Sequence, residues 1–300
     1  MSGSQPPRAL IAGWFSFDEV IATVGDLSGG EVTAAWLSEC GWACDVAMAQ
    51  YMGAGVDWRA VDPDGYDLLV FTTGPLFEQP QLAALLERFA ICERWAINVS
   101  LLDRSLTHCF DRVWERDGLS ARADLAFAGC PPSRPVVGFA CAPPQAEYGA
   151  GSQDAVRDAV THWLGTRDVS WLHLEMDMYV EHRYPRSESH VASLVQRCDV
   201  VISSRLHGAV FALRLGKPVI AIDPVCGGGK VARQMTAIRW PCTIPGERVS
   251  ADELDAALRW CSSDIACEHV ARSRHLALEQ TDGLHREVRA HATQLAAGCS

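Results

Sequence analysis

The segment Cys198-Asp199-Val200-Val201-Ile202-Ser203-Ser204-Arg205-Leu206-His207-Gly208, running on to Gly216-Lys217-Pro218-Val219-Ile220-Ala221-Ile222, constrains the fold more than any other. Val200 to Ile202 is a β-branched run without polar alternation. That is the pattern of a parallel strand covered on both faces, so a central strand is expected. Ser203 and Ser204 supply N-cap chemistry, Leu206, Ala209, Val210, Ala212 and Leu213 recur at helical spacing, and Gly216 suits a helix stop. Pro218 opens the next apolar run, Val219 to Ile222. Strand, turn, helix and strand in immediate succession make a βαβ unit.

Arg205 and His207 fall where the strand's carboxyl end meets the helix's first turn, the position at which open α/β sheets bind ligands. Free amides and the helix dipole favour an anion there, and the Arg205 fork fits phosphate or carboxylate. His207 is suited to moving a proton near neutral pH. Gly208 leaves room for a ligand against the backbone. From the residues alone a structural alternative stays open, in which Arg205 pairs with a nearby carboxylate and His207 is a hydrogen-bonded structural group.

Ser204-Arg205-Leu206-His207-Gly208, preceded by Cys-Asp-Val-Val-Ile and followed by Ala-Leu-x-Leu-Gly-x-Pro-Val-Ile-Ala, resembles the signature of the polysaccharide pyruvyl transferase family. The resemblance is closest from about Arg197 to Ala232. It implies transfer of a pyruvyl group from phosphoenolpyruvate to two hydroxyls of a sugar. It also implies a two-domain fold similar to that of GT-B glycosyltransferases.

Three hundred residues, 48% of them hydrophobic, are enough for two α/β domains. The net charge of −11 excludes a broad nucleic-acid or anionic-membrane footprint, so any anion site must be local. Lys217 and Lys230 are the only lysines. The 12 cysteines are scattered without a Cys-x-x-Cys, which supports neither zinc nor a disulfide framework and fits reduced core thiols. The amino terminus lacks an apolar signal region, and no run reaches the ~20 apolar residues that span a bilayer. A soluble, cytoplasmic protein is expected.

In the first half, strands are expected at Ala9–Ala12, Cys44–Met48, Asp67–Phe71 and Trp95–Val99, with helices at Glu31–Cys40 and Leu82–Cys92. Strands and helices alternating at this spacing argue for a parallel sheet. Thr72-Thr73-Gly74-Pro75 reads as a loop at a strand's carboxyl end. Trp14, Phe15 and Phe17 suit either a sugar ring or the core. Gly25-Asp26 lies in the loop expected ahead of the first helix; the resemblance implies that Asp26 faces the interdomain cleft and the acceptor, whereas a capping role is the structural alternative. Arg116-Asp117-Gly118-Leu119-Ser120 and Asp124-Leu125-Ala126-Phe127 resemble two family elements, here brought close together with the helix between them reduced. Arg116 is thereby a second candidate anion ligand, or else a solvated pair with Asp117.

Cys130 to Pro135 is proline-rich and lacks apolar periodicity, which places a domain boundary there: 1–132 on the acceptor side, 133–300 carrying the donor site and a helical C-terminal tail. In the second half, Val136–Ala140 and Val169–Leu174 read as strands and Gln153–Leu164 as a helix. Glu175 and Asp177 then suit either sugar hydroxyls or pairing with Arg183 or Arg186. Asp223 to Lys230 is a glycine-rich turn ahead of a helix at Val231–Ile238. Gly229 admits a ligand to the backbone there and Lys230 adds a point charge for phosphate, although the spacing is not that of a Walker loop.

The fold expected is therefore α/β, two Rossmann-like parallel-sheet domains facing a cleft, GT-B-like, with a helical tail. The activity expected is a phosphoenolpyruvate-dependent pyruvyl transferase making a ketal on a glycan or polyol. It requires no cofactor, phosphoenolpyruvate being a substrate. Arg205, Ser204, Gly208, Gly229 and Lys230 would hold the donor, His207 would do acid–base work, and Asp26 or Asp177 would orient the acceptor. Two alternatives stand: a GT-B glycosyltransferase using a nucleotide sugar, and a non-catalytic member that binds a glycan or a protein.

Overall fold

Apolar runs of about five residues become parallel strands, and the longer amphipathic stretches between them become the covering helices. The computed structural model describes residues 5–118, 122–143, 152–178 and 185–298. It comprises two units, Met1–Pro132 and Ser133–Ser300.

The first unit holds strands β1 (Arg8–Ala12), β2 (Ala43–Val46), β3 (Leu68–Thr72), β4 (Pro75–Leu76), β5 (Glu93–Leu101) and β6 (Arg112–Glu115). Their order is β2-β1-β3-β5, with β4 and β6 both paired to β5, and every pairing is parallel. Helix α1 (Val24–Glu39) covers the face bearing Ala9, Ile11, Leu68 and Val70. Helix α2 (Pro80–Arg88) and an aromatic cluster cover the other. Trp14, Phe15 and Phe17 belong to the core, and Trp14 Nε1 donates to Pro75 O at 2.8 Å.

Helix α1 starts well before the expected Glu31. Thr23 and Asp26 form a capping box: Asp26 N donates to Thr23 Oγ1 at 3.3 Å, and Thr23 N donates to Asp26 Oδ2 at 3.0 Å. Glycine inside a helix lowers its propensity, which hid this start. The reason for glycine is space, because a Cβ on Gly29 would lie 2.1 Å from Thr73 Cγ2. The expected Thr72–Pro75 loop is shorter than read, with Thr72 ending β3 and Pro75 beginning β4. Between them Thr73 sits at φ 60°, which costs a β-branched residue about 1–3 kcal/mol. It is held there by Thr73 N to Ile97 O (3.0 Å) and Thr73 Oγ1 to Asp26 O (3.2 Å).

The second unit holds β7 (Val136–Ala140), β8 (Ser170–His173), β9 (Val200–Ser203), β10 (Val219–Asp223) and β11 (Thr243–Pro245), all parallel, in the order β11-β10-β9-β7-β8. The strand expected at the centre is β9, the middle of the five. Its helices are α3 (Gln153–Gly165), α4 (Glu188–Val195), α5 (Leu206–Arg214), α6 (Lys230–Ala237), α7 (Ala251–Cys261) and α8 (Asp264–Gly298). Val137, Phe139, Val200 and Ile202 point toward α3 and α7, while Val201, Val219 and Ala221 point toward α5 and α6. Both faces of β9 are buried, with Val200, Val201 and Ile202 each contributing about 1.5–3 kcal/mol. Helix α8 packs on α5 and α7. Among the described residues no helix is long and apolar enough to cross a membrane.

Asp255 ties α3 to α7. Its carboxylate accepts from Arg167 Nε (2.8 Å) and Nη2 (2.9 Å) and from Trp163 Nε1 (2.8 Å). The hydrogen bonds from Arg167, then that from Trp163, pull its pKa down to about 2. A carboxylate depressed on folding adds stability that is present above its unfolded value and is lost as pH falls through the folded one. Asp255→Asn is therefore expected to lower Tm at pH 7 by roughly 2–4 °C, the shift made by about 1 kcal/mol in a unit of this size. The gap from the parent should close between about pH 4 and pH 2 in thermal melts.

Candidate functional site

In the second sheet the chain runs outward from β7 to β8, then returns past β7 to β9 and continues to β10. The crossovers leaving the adjacent strands β7 and β9 lie on opposite faces, α3 on one and α5 on the other. Such a reversal opens a crevice outside the carboxyl ends of the two strands, where doubly wound sheets bind ligands. A hollow of about 180 Å³ opens there. Ala142 contributes from the end of β7, Met176 and Asp177 from the end of β8, Ser204, Arg205 and His207 from the end of β9, and Lys230 from the turn after β10.

Arg205 is itself the N-cap of α5, in extended conformation. The two serines expected as caps have other partners. Ser203 Oγ accepts from Arg205 N (3.1 Å) and donates to Arg205 O (2.7 Å), while Ser204 Oγ accepts from Ala142 N (2.9 Å). Together they fasten the end of β9 to its own turn and to the segment after β7.

Each nitrogen of the Arg205 guanidinium donates one hydrogen bond. Nε donates to Cys141 O at 2.6 Å, Nη1 to Asp177 Oδ1 at 2.7 Å and Nη2 to Asp177 Oδ2 at 2.6 Å. This is the bidentate geometry in which guanidinium recognises carboxylate. Asp177 thus pairs with Arg205, not with Arg186; Arg183 lies outside the described residues. The Arg205 side chain is 17% exposed and that of Asp177 43%, so the pair lines the hollow with its acidic member outward. The hydrogen bonds from Arg205 hold the Asp177 carboxyl below the usual range. His207 is exposed on the same wall and has no hydrogen-bonding partner among the described residues.

Four of the expected site residues have structural partners within the chain. Gly208 makes room for the sheet: a Cβ there would lie 2.3 Å from Ser203 Oγ and 2.8 Å from Ala140 Cβ. Gly229 N donates to Asp223 Oδ2 at 2.7 Å, as does Ala232 N at 2.7 Å, while Val225 N donates to Asp223 Oδ1 at 3.0 Å. A buried carboxylate of the chain's own therefore occupies the anion seat at the start of α6, and of the two turn residues only Lys230 lines the hollow. Arg116, expected as an anion ligand, is consumed as a clasp. Its Nη1 donates to Asp124 Oδ2 (2.5 Å), its Nη2 to Ser100 Oγ (2.5 Å) and its Nε to Asp117 Oδ1 (3.1 Å). Ser120 of the same motif lies outside the described residues. Asp26 takes the capping role that had been the structural alternative.

Sequence reading missed Asp223 and the Cys141 carbonyl. Asp223 stands at a strand end just before Pro224, and an aspartate there commonly bonds the backbone two residues on. A backbone carbonyl leaves no mark in a sequence.

With that geometry in place, comparison with known proteins bears on the same segment. Residues 148–224 match the polysaccharide pyruvyl transferase family model. The matched stretch includes Asp177, Arg205 and His207 of the hollow. No curated protein matches the chain. Solved structures resemble it distantly. The glycotransferase of kitacinnamycin is 11% identical over 95% of this chain and 99% of its own, with a TM-score of 0.34. Spinosyn forosaminyltransferase SpnP is 12% identical over 92% and 95%, at 0.35. UDP-GlcNAc 2-epimerase from Methanocaldococcus jannaschii is 8% identical over 92% and 99%, at 0.31. Likeness this low carries no argument about donor or acceptor.

The packing at Gly208 has a measurable consequence. Gly208→Ala should cost roughly 1–3 kcal/mol of stability through overpacking against Ser203 and Ala140. A ligand-clearance role would instead leave Tm unchanged and weaken binding alone.

Proposed function

We propose that the hollow between the ends of β7 and β9 is the donor site of a pyruvyl transferase that uses phosphoenolpyruvate and forms a ketal on a glycan or polyol. The observation that carries this reading is the Arg205 fork held two-point by a carboxylate at the strand-order reversal. Asp177 there stands where a donor carboxylate would sit. His207 and Lys230 line the same hollow, which supplies a proton-transfer group and a second cation beside the first.

In this reading the donor's carboxylate takes Asp177's place on Arg205, and Lys230 meets its phosphate. His207 delivers a proton to the methylene carbon, making C2 electrophilic. An acceptor hydroxyl attacks C2 and gives up its proton to Asp177, now released from the guanidinium. Phosphate departs with the C2–O electron pair and takes the proton held by Asp177, and the second hydroxyl closes the ketal by giving its proton to His207. Both groups are thereby restored, and the charge that develops stays beside Arg205 and Lys230.

The test is donor binding by calorimetry, paired with phosphate release in the presence of a panel of diol-bearing glycans. The parent should bind phosphoenolpyruvate saturably. Arg205→Ala should weaken that binding by roughly 100-fold, the loss of a charge-assisted bidentate pair of about 3 kcal/mol. His207→Gln should keep binding within a few-fold while losing roughly 100-fold or more in turnover. Binding of nucleoside diphosphates with none of phosphoenolpyruvate would overturn the reading in favour of a nucleotide-sugar transferase. Unchanged turnover in His207→Gln would remove the histidine from the chemistry.

Asp177→Asn separates the two roles given to that residue. It removes the competing carboxylate, so donor affinity should rise, and it removes the proton acceptor, so turnover should fall. Donor affinity that falls together with turnover would mean that Asp177 only positions Arg205.

A further inference from the structure

In the first unit, α1 covers β1 and β3 but stops short of the β5–β6 edge. The β5-to-β6 connection places Leu106, Cys109 and Phe110 against the opposite face. A parallel sheet is normally sheathed on both sides. Here the α1 side of β5 and β6 is left as a trough of about 450 Å³, floored by Trp95, Ile97 and Trp114 and walled by Trp36 and Leu37 of α1. That volume falls in the range of small-molecule sites, about 300–1,000 Å³. Arg122, Ala123 and Leu125 form its far wall.

The far wall is built and not incidental. Asn98 sits at φ 56° where the β5–β6 register shifts between Ile97 and Val99. Its side chain is buried; Nδ2 donates to Ala123 O at 2.9 Å, and Leu125 N donates to Oδ1 at 3.1 Å. A backbone irregularity of this kind re-aims the neighbouring side chains. The rings of Trp95 and Trp114 meet at 72° with centroids 5.4 Å apart, forming an aromatic corner. Trp36 is 47% exposed above it. Arg122 also lines the trough, and among the described residues its guanidinium makes a single hydrogen bond, from Nη1 to Glu115 O at 3.3 Å. Trp95 Nε1 donates to Glu93 Oε1 at 2.7 Å, which engages that carboxylate.

We propose that this trough is a binding site for a small, flat aromatic molecule carrying one anionic group. The rings stack in the tryptophan corner and the anion pairs with Arg122. Three tryptophans select the ring system, and the single guanidinium at an otherwise apolar site selects the charge. The site belongs wholly to the first unit and does not rest on the pyruvyl transfer reading.

The experiment uses the full-length protein and two probes of nearly equal size, anionic 8-anilinonaphthalene-1-sulfonate and neutral N-phenyl-1-naphthylamine, read by energy transfer from tryptophan. The parent should bind one molecule of either probe per chain. Trp36→Ala should weaken both by roughly tenfold, the share of one stacking face. Arg122→Gln should weaken the sulfonate several-fold and leave the neutral probe unchanged. Both side chains are exposed, and circular-dichroism melts matching the parent confirm that the variants fold. Binding without saturation, or binding that Trp36→Ala leaves intact, would overturn the site. Equal effects of Arg122→Gln on both probes would overturn its charge selectivity.

Discussion

The reversal of strand order between β7 and β9 is the constraint on which the second unit depends. Parallel strands need a crossover, right-handedness assigns each crossover to a face, and reversal of direction puts α3 and α5 on opposite faces. Two adjacent strand ends are then left without a shared helix above them. Side chains that follow directly on β7 and β9 must line that opening, whatever they are. They include Arg205 and His207, which put a guanidinium and an imidazole on the wall of one hollow.

Two carboxylates of the chain occupy anion seats around this opening, and their surroundings separate them. Asp223 is 2% exposed and accepts from three backbone amides. Removing it would leave three amides unpaired, that of Gly229 buried at a cost of about 1–3 kcal/mol, so it is a fixed part of the turn. Asp177 is 43% exposed, and its carboxylate is held by one guanidinium. It can turn toward water without stranding a backbone donor. Only the seat at Arg205 is therefore open to exchange.

Periodicity made most of this fold legible. Val136–Ala140 and Val200–Ile202 read as buried parallel strands because β-branched runs without polar alternation have few other uses. What failed to read were features set by neighbours distant in the chain. The glycines of α1 looked like a loop because their reason, Thr73 and Phe15 packed against them, lies outside the helix. Gly208 and Gly229 looked like ligand clearance because a missing Cβ does not say what fills its space. For Arg116 and Asp26 the residue types were read correctly, but local partners, Asp124 and Thr23, claimed them first. Arg205 with His207 was legible because two charge-bearing side chains next to a buried strand end leave the chain little choice of where to put them.

A guanidinium that already carries its own counter-ion behaves differently from a bare one. Any acid arriving at Arg205 swaps one carboxylate for another, so the number of ion contacts at that fork stays constant through the event. The contribution of that fork to affinity should respond only weakly to ionic strength, because Debye screening attenuates the incoming and the departing partner alike. Discrimination falls to shape: a planar two-oxygen head that fits the fork as well as Asp177 does can compete, and a spherical halide cannot.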